Sequence, residues 1–205
     1  MPPGARTGPL DFPPIGLYDG LMVNTLLKGS FLVAGPALYD PNFRQAVVLL
    51  CEHNAQGSMG LVINRPTELV LTEALNQLGG ERDDVIYSGG PVQPDHLLIL
   101  IRSEQEPAAS HHVFNDVYLG TDLPTLQSLV AQRVPDEAFR GYAGYAGWGA
   151  GQLDAELASN SWITVPGDSK WIFDSDPKIV WPELMRSLGP RFAFYADMPK
   201  DPTLN

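Results

Sequence analysis

Apolar positions in this chain fall in short continuous runs toward the start and at helical spacing later. Residues Leu26 to Ala34 (LLKGSFLVA) predict a first strand, closed by Gly35-Pro36 and followed by the turn signal Asp40-Pro41-Asn42. Ala46 to Cys51 (AVVLLC) is the pattern of a strand covered on both faces. Gly57 to Asn64 (GSMGLVIN) predicts its hairpin partner across His53 to Gln56. A short helix capped by Thr72 is expected through Leu78, stopped by Gly79-Gly80, with strands near Val85 to Tyr87, His96 to Arg102 and Val113 to Leu119. From Asp122 to Ala131, Leu123, Leu126, Leu129 and Val130 recur at helical spacing, with Thr121 or Asp122 as cap.

The stretch Phe139 to Glu156 (FRGYAGYAGWGAGQLDAE) crowds glycines and aromatics and reads as a glycine-rich loop before a helix over Ala150 to Ala158. A strand over Trp162 to Val165 follows, then a helix over Pro182 to Leu188 with Pro182 in its first turn and Gly189 as a left-handed stop. Phe192 to Tyr195 reads as a last short strand. Strands dominate early and helices late, without regular alternation, which predicts an α+β fold with a largely antiparallel or mixed sheet.

With 205 residues, 44% of them hydrophobic, the chain buries a substantial core and calls for one domain. Prolines at 2, 3, 9, 13 and 14 set residues 1–25 apart as a flexible extension, leaving 26–197 as the domain and 198–205 as a tail. The formal charge of -11 opposes phosphate backbones, and the positive residues are scattered singly, so direct nucleic-acid binding is not expected. No apolar run approaches the ~20 residues of a membrane helix. The single cysteine, Cys51, excludes an internal disulfide and points to a reducing, cytoplasmic setting.

Most catalytic signatures are absent. Gly147, Gly149 and Gly151 miss the spacing and context of a dinucleotide loop, and no phosphate-binding G-x-x-x-x-G-K-[ST] occurs. His53, His96, His111 and His112 form no helical pair, so neither a metal nor a cofactor is expected. Cys51 ends an apolar run and reads as core rather than nucleophile. Serines 88, 103, 110 and 159 lack a nucleophile-elbow context.

Three segments carry more than packing requires. Asn64-Arg65-Pro66 follows an apolar strand and offers a guanidinium suited to a carboxylate or phosphate, or to an internal salt bridge with Glu156 or an aspartate. Gly89-Gly90 allows close backbone approach, as does any tight turn. The third is Trp148, Gly151, Gln152 and Glu156. Here Gln152 and Glu156 form a polar stripe beside Leu153 and Leu157, the first-turn amides favour an anion, and Trp148, Tyr142 and Tyr145 either wall a pocket or pack on backbone.

The segments LVAGPALYDPNF, AVVLLCEH, GLVINRP, SGGPV, GYAGWGAGQLDAE and SWITVPGD, with Trp181 beyond them, resemble the bacterial YqgE/AlgH family in order, over about residues 28 to 189. The resemblance implies a cytosolic α+β domain with a curved or pseudo-barrel sheet flanked by helices, and no established enzymatic activity. Some members of that family are labelled transcriptional regulators, a label that the acidic charge does not favour for direct DNA contact. The ending PKDPTLN departs from the family's glycine-histidine-alanine terminus.

The expectation is a binding or regulatory module in which the three segments converge on a groove for a small anionic ligand or a partner's carboxylate, with Arg65 exposed beside Gln152. The alternatives are an indirect or direct transcriptional regulator, a hydrolase or transferase using Glu156 with Arg65, and a purely architectural glycine-aromatic segment.

Overall fold

Runs that are apolar on both faces must be covered on both, and here a sheet curls around its own core while helices close the open side. The computed structural model describes residues 26–71, 85–121, 123–131 and 138–198. Among these, ten strands and five helices follow in order: β1 (Ser30–Ala34), β2 (Val47–Asn54), β3 (Gly57–Val62), β4 (Pro66–Val70), β5 (Val85–Ser88), β6 (Val92–Arg102), β7 (Ser110–Phe114), β8 (Val117–Gly120), α1 (Leu123–Ala131), β9 (Phe139–Gly149), α2 (Gln152–Ala158), β10 (Trp162–Pro166), α3 (Ser169–Phe173), α4 (Pro177–Ser187) and α5 (Pro190–Ala196). The main path runs β10-β1-β2-β3-β9-β6-β8-β7, with β4 pairing β5 and β5 pairing β9. All pairings are antiparallel except β5 with β9.

The expected α+β domain with a curved, mixed sheet is what forms: a curled half-barrel flanked by helices. Its main core joins Phe31, Leu32, Leu49, Leu61 and Tyr142 to Ile172, Trp181 and Met185 of the helical side. A smaller cluster, with Ile99, Ile101, Phe139 and Leu129, lies on the other face of β6 and β9. The two ends of the sheet meet at Phe114, the last residue of β7. Its ring lies against Gly29 and Gly167, which flank β1 and β10, so closely that a Cβ at Gly29 would stand 2.6 Å from the Phe114 Cβ.

Several local expectations are corrected. The glycine-aromatic segment is not a loop up to Gly149 but an 11-residue strand, β9, shared by three neighbours. Its first half pairs with β6 and β5 and its second with β3. Period-two alternation of Arg140, Tyr142, Ala146 and Trp148 was present in the sequence, and among the glycines between them Gly144 marks close backbone approach within a sheet rather than a break. At Gly144 (φ +70) β9 passes from one half-sheet to the other, and a Cβ there would lie 2.5 Å from the Gly90 carbonyl oxygen.

The expected strand over Val113 to Leu119 is split into β7 and β8 by a turn at Asn115-Asp116, with Asn115 at φ 44. Helix α4 starts at Pro177, capped by the Asp176 side chain, and Pro182 lies inside it. Gly189, at φ 99, is the N-cap of α5, and Phe192 to Tyr195 is helical within that element rather than a strand. Pro190 at the first turn pre-sets the helical φ. Strand β4 and helix α3 were not anticipated. The expected helix from Thr72 to Leu78 and the extension 1–25 lie outside the described residues, as does the tail after Met198.

Candidate functional site

Asn64 and Arg65 leave the end of β3 and both turn back on the backbone between Pro41 and Val47. Asn64 Oδ1 accepts from the Val47 N–H at 2.9 Å, and its Nδ2 donates to the Gln45 carbonyl at 2.9 Å. Arg65 donates through Nη1 to the Pro41 carbonyl at 3.1 Å and through Nη2 to the Arg44 carbonyl at 3.0 Å. The two side chains thus staple a turn that no regular ladder would hold. The guanidinium is half-buried. Burial holds it below its ordinary pKa, and the nearby Asp40 charge opposes that shift. Among the described residues no internal salt bridge joins Arg65 to Glu156 or an aspartate; the acceptors are neutral carbonyls.

Gly89 and Gly90 lie beside this staple. Ser88 N–H donates to the Arg65 carbonyl, Val62 N–H to the Gly89 carbonyl and Gly89 N–H to the Ala143 carbonyl, at 2.8 to 2.9 Å. The segment therefore bridges β3 and β9. A Cβ at Gly89 would collide with the Gly144 carbonyl, and one at Gly90 (φ 151) with the Tyr145 backbone. The close approach these glycines permit is to the protein's own strand.

Trp148, Gln152 and Glu156 form a second network. Glu156 Oε2 accepts from the indole N–H of Trp148 at 2.9 Å and of Trp162 at 2.8 Å, while Oε1 accepts from Gln152 Nε2 at 3.0 Å. Gln152 Oε1 in turn accepts from the Gly149 N–H at 3.1 Å, tying the end of β9 to the start of α2. Gly151 (φ +71) is the N-cap of α2, with open space where a Cβ would stand. The two indoles meet edge to face at 6.0 Å, and Phe43 packs on both, at 6.3 Å from Trp148 and 5.6 Å from Trp162.

While Gly89-Gly90 packs on β3 and β9, the other two of the three segments meet at the turn from Asp40 to Gln45. Arg65 holds its carbonyls from one side, and Phe43 of the same turn enters the Trp148-Trp162 cage that Glu156 closes. No hydrogen bond or ion pair joins Arg65 to Gln152 or Glu156. Glu156 is committed to three internal donors, which counts against its use as an acid-base residue. Sequence reasoning missed Phe43 and Trp162, although an aromatic closing the turn YDPNF was a signal for an inserted side chain.

Elsewhere, Cys51 is buried and burial, helped by Glu52, pushes its thiol up to about 12. His53 Nδ1 and Ser58 Oγ lie 2.8 Å apart as a cross-strand pair of β2 and β3. Among the described residues no cluster of His, Cys, Asp and Glu is arranged to hold a metal, and no helix is long and apolar enough to cross a membrane.

Fold and contacts together define a class: a single α+β domain with a curled half-barrel sheet, in which a glycine-aromatic strand is locked to the next helix by a Trp-Glu-Trp clamp. The chain belongs to the AlgH-like family (DUF179), whose model matches residues 31–193. It is 41% identical to a UPF0301 protein of Xanthomonas euvesicatoria over 155 residues, 73% of this chain and 82% of that one. A UPF0301 protein of Cytophaga hutchinsonii is 36% identical over 183 residues, 88% of this chain and 100% of the relative. The solution structure of AlgH from Pseudomonas aeruginosa superposes with a TM-score of 0.69 at 38% identity, covering 86% of this chain and 96% of that one. A Corynebacterium diphtheriae crystal structure, at 20% identity and a TM-score of 0.70 over 85% of this chain and 94% of the other, shares the fold.

Proposed function

We propose that this chain is a cytosolic, non-catalytic binding module that takes a carboxylate of a protein partner at Arg65. One observation carries this reading: Arg65 uses two of its N–H groups on backbone carbonyls and has no carboxylate within ion-pair distance among the described residues. A guanidinium has five such groups, so a rigid fork remains for an outside acceptor. Two residues before Pro41 stands Tyr39, 71% exposed, an aromatic of the kind enriched where proteins meet. The net charge of -11 supports a protein partner over nucleic acid.

Native mass spectrometry of the full chain purified from its own cells tests the reading. Wild type and Gln152→Ala retain a companion chain, whereas Arg65→Met, folded but melting lower for want of its two hydrogen bonds to the turn, and the surface variant Tyr39→Ser, melting as wild type does, both lose it. Retention by both of the latter, or a bare wild-type chain, overturns it. A mobility shift with duplex DNA at physiological salt gives no complex on this reading, and a complex there would also refute it.

A further inference from the structure

Arg140 and Tyr142 lie two residues apart on β9 and therefore point to the same face of the strand, the one that α3 and α4 cover. Tyr142 is fully buried, and its hydroxyl has no hydrogen-bond partner; neither has the buried Nη1 of Arg140. Other parts of the Arg140 head have partners. Nη2 donates to the Phe173 carbonyl at 3.1 Å, and the guanidinium carbon stands 4.7 Å from the centre of the Tyr87 ring, which packs on Tyr142 at 5.6 Å.

A buried polar atom without a partner is costly, and one on a cation more so, which is why such atoms are almost always satisfied by protein, water or an ion. Here two of them stand on one strand face, and among the described residues no carboxylate lies within ion-pair distance of the guanidinium, the Asp176 charge being felt at Tyr87 rather than paired with Arg140. The acids closest in sequence to the Phe173 carbonyl are engaged. Asp174 takes both Nη atoms of Arg102, at 2.7 and 2.9 Å, and Asp176 caps α4 by accepting from the Lys178 N–H at 2.9 Å.

We propose that Arg140 Nη1 and the Tyr142 hydroxyl form an internal binding site for a small monovalent anion of halide or formate size. Both groups are donors toward such an ion. Burial raises the Tyr142 pKa, with the Arg140 charge opposing, so the phenol keeps its proton. The full burial of Tyr142 restricts the guest to a few atoms. A single water would satisfy the hydrogen bonds but bring no negative charge into contact with the guanidinium. The site is separate from Arg65 and independent of any partner there.

Thermal melts of the full chain at constant ionic strength test it, with sodium gluconate replaced stepwise by chloride, bromide or formate. The strongly acidic surface makes general anion uptake a poor competing cause. Wild type gains about 3–6 °C when the anion reaches about ten times its dissociation constant. Tyr142→Phe, which keeps the ring and removes only the hydroxyl, loses most of that gain, and Arg140→Met loses all of it. Crystals grown in bromide show an anomalous peak within hydrogen-bond reach of both atoms. Equal melts of the wild type in all four salts, an undiminished gain in Tyr142→Phe, or ordered water without anomalous signal at that position would each overturn the proposal.

Discussion

Removing the Glu156 carboxylate tests the strongest structural argument, that one side chain holds β9, α2 and β10 together. Glu156→Ala leaves two indole N–H groups without an acceptor, at Trp148 (6% exposed) and Trp162 (2% exposed). An unsatisfied buried donor costs about 1–3 kcal/mol, so the pair costs about 2–5 kcal/mol once the slight exposure of Trp148 is allowed for. Glu156→Gln keeps one oxygen where both indoles point. It loses charge assistance and sets its amide against that of Gln152, for about 1–2 kcal/mol. Urea unfolding followed by near-ultraviolet circular dichroism of the tryptophans measures both, with the midpoint shifting and the slope unchanged. An alanine variant within about 0.5 kcal/mol of wild type, or a glutamine variant less stable than alanine, refutes the clamp.

Two glycines with the same backbone angle separate strain from space. Gly144→Ala adds a forced positive φ to a collision with the Gly90 and Val92 carbonyls and costs about 2–5 kcal/mol, whereas Gly151→Ala meets nothing and costs about 1–2 kcal/mol, both read from urea midpoints. Trp181→Phe strips the buried Ala34 carbonyl of its indole donor at 2.9 Å and lowers stability by about 1–2 kcal/mol in the same assay. Alkali destabilises the fold through Cys51. Its thiol rises from an ordinary 9.0 to about 12, so the stability it contributes is intact below pH 9 and is lost as pH climbs toward 12. The slope is up to about 1.4 kcal/mol per pH unit, and melts of Cys51→Ala show a shallower alkaline limb.

Much of the architecture was legible because burial follows apolar pattern: Val47 to Cys51 is covered on both faces, and the hairpin to Gly57 lies across the expected turn. What failed was local reasoning where tertiary contact decides. Gly144 of β9 answers to Gly89 and Gly90, some fifty residues earlier in the chain, and no window around it reveals that. Pro182 sits inside α4 because Asp176 and Pro177 already supply a better start. For the site, the residue types were legible and their partners were not. Arg65 reaches carbonyls, which every residue has, and Glu156 reaches Trp162, whose side chain gave no sequence sign of facing it.

The ring of Phe114 stands where a fully closed barrel would carry a row of ladder hydrogen bonds between its first and last strands. Among the described residues no ladder pairing joins the two rims there, and the Phe114 ring packs across the gap by dispersion, so the seam has no directional register to defend and the rims can slide without breaking a strand pair. Breathing of the whole domain should therefore begin there, while the same aromatic plug keeps both rims too close together to accept a foreign strand.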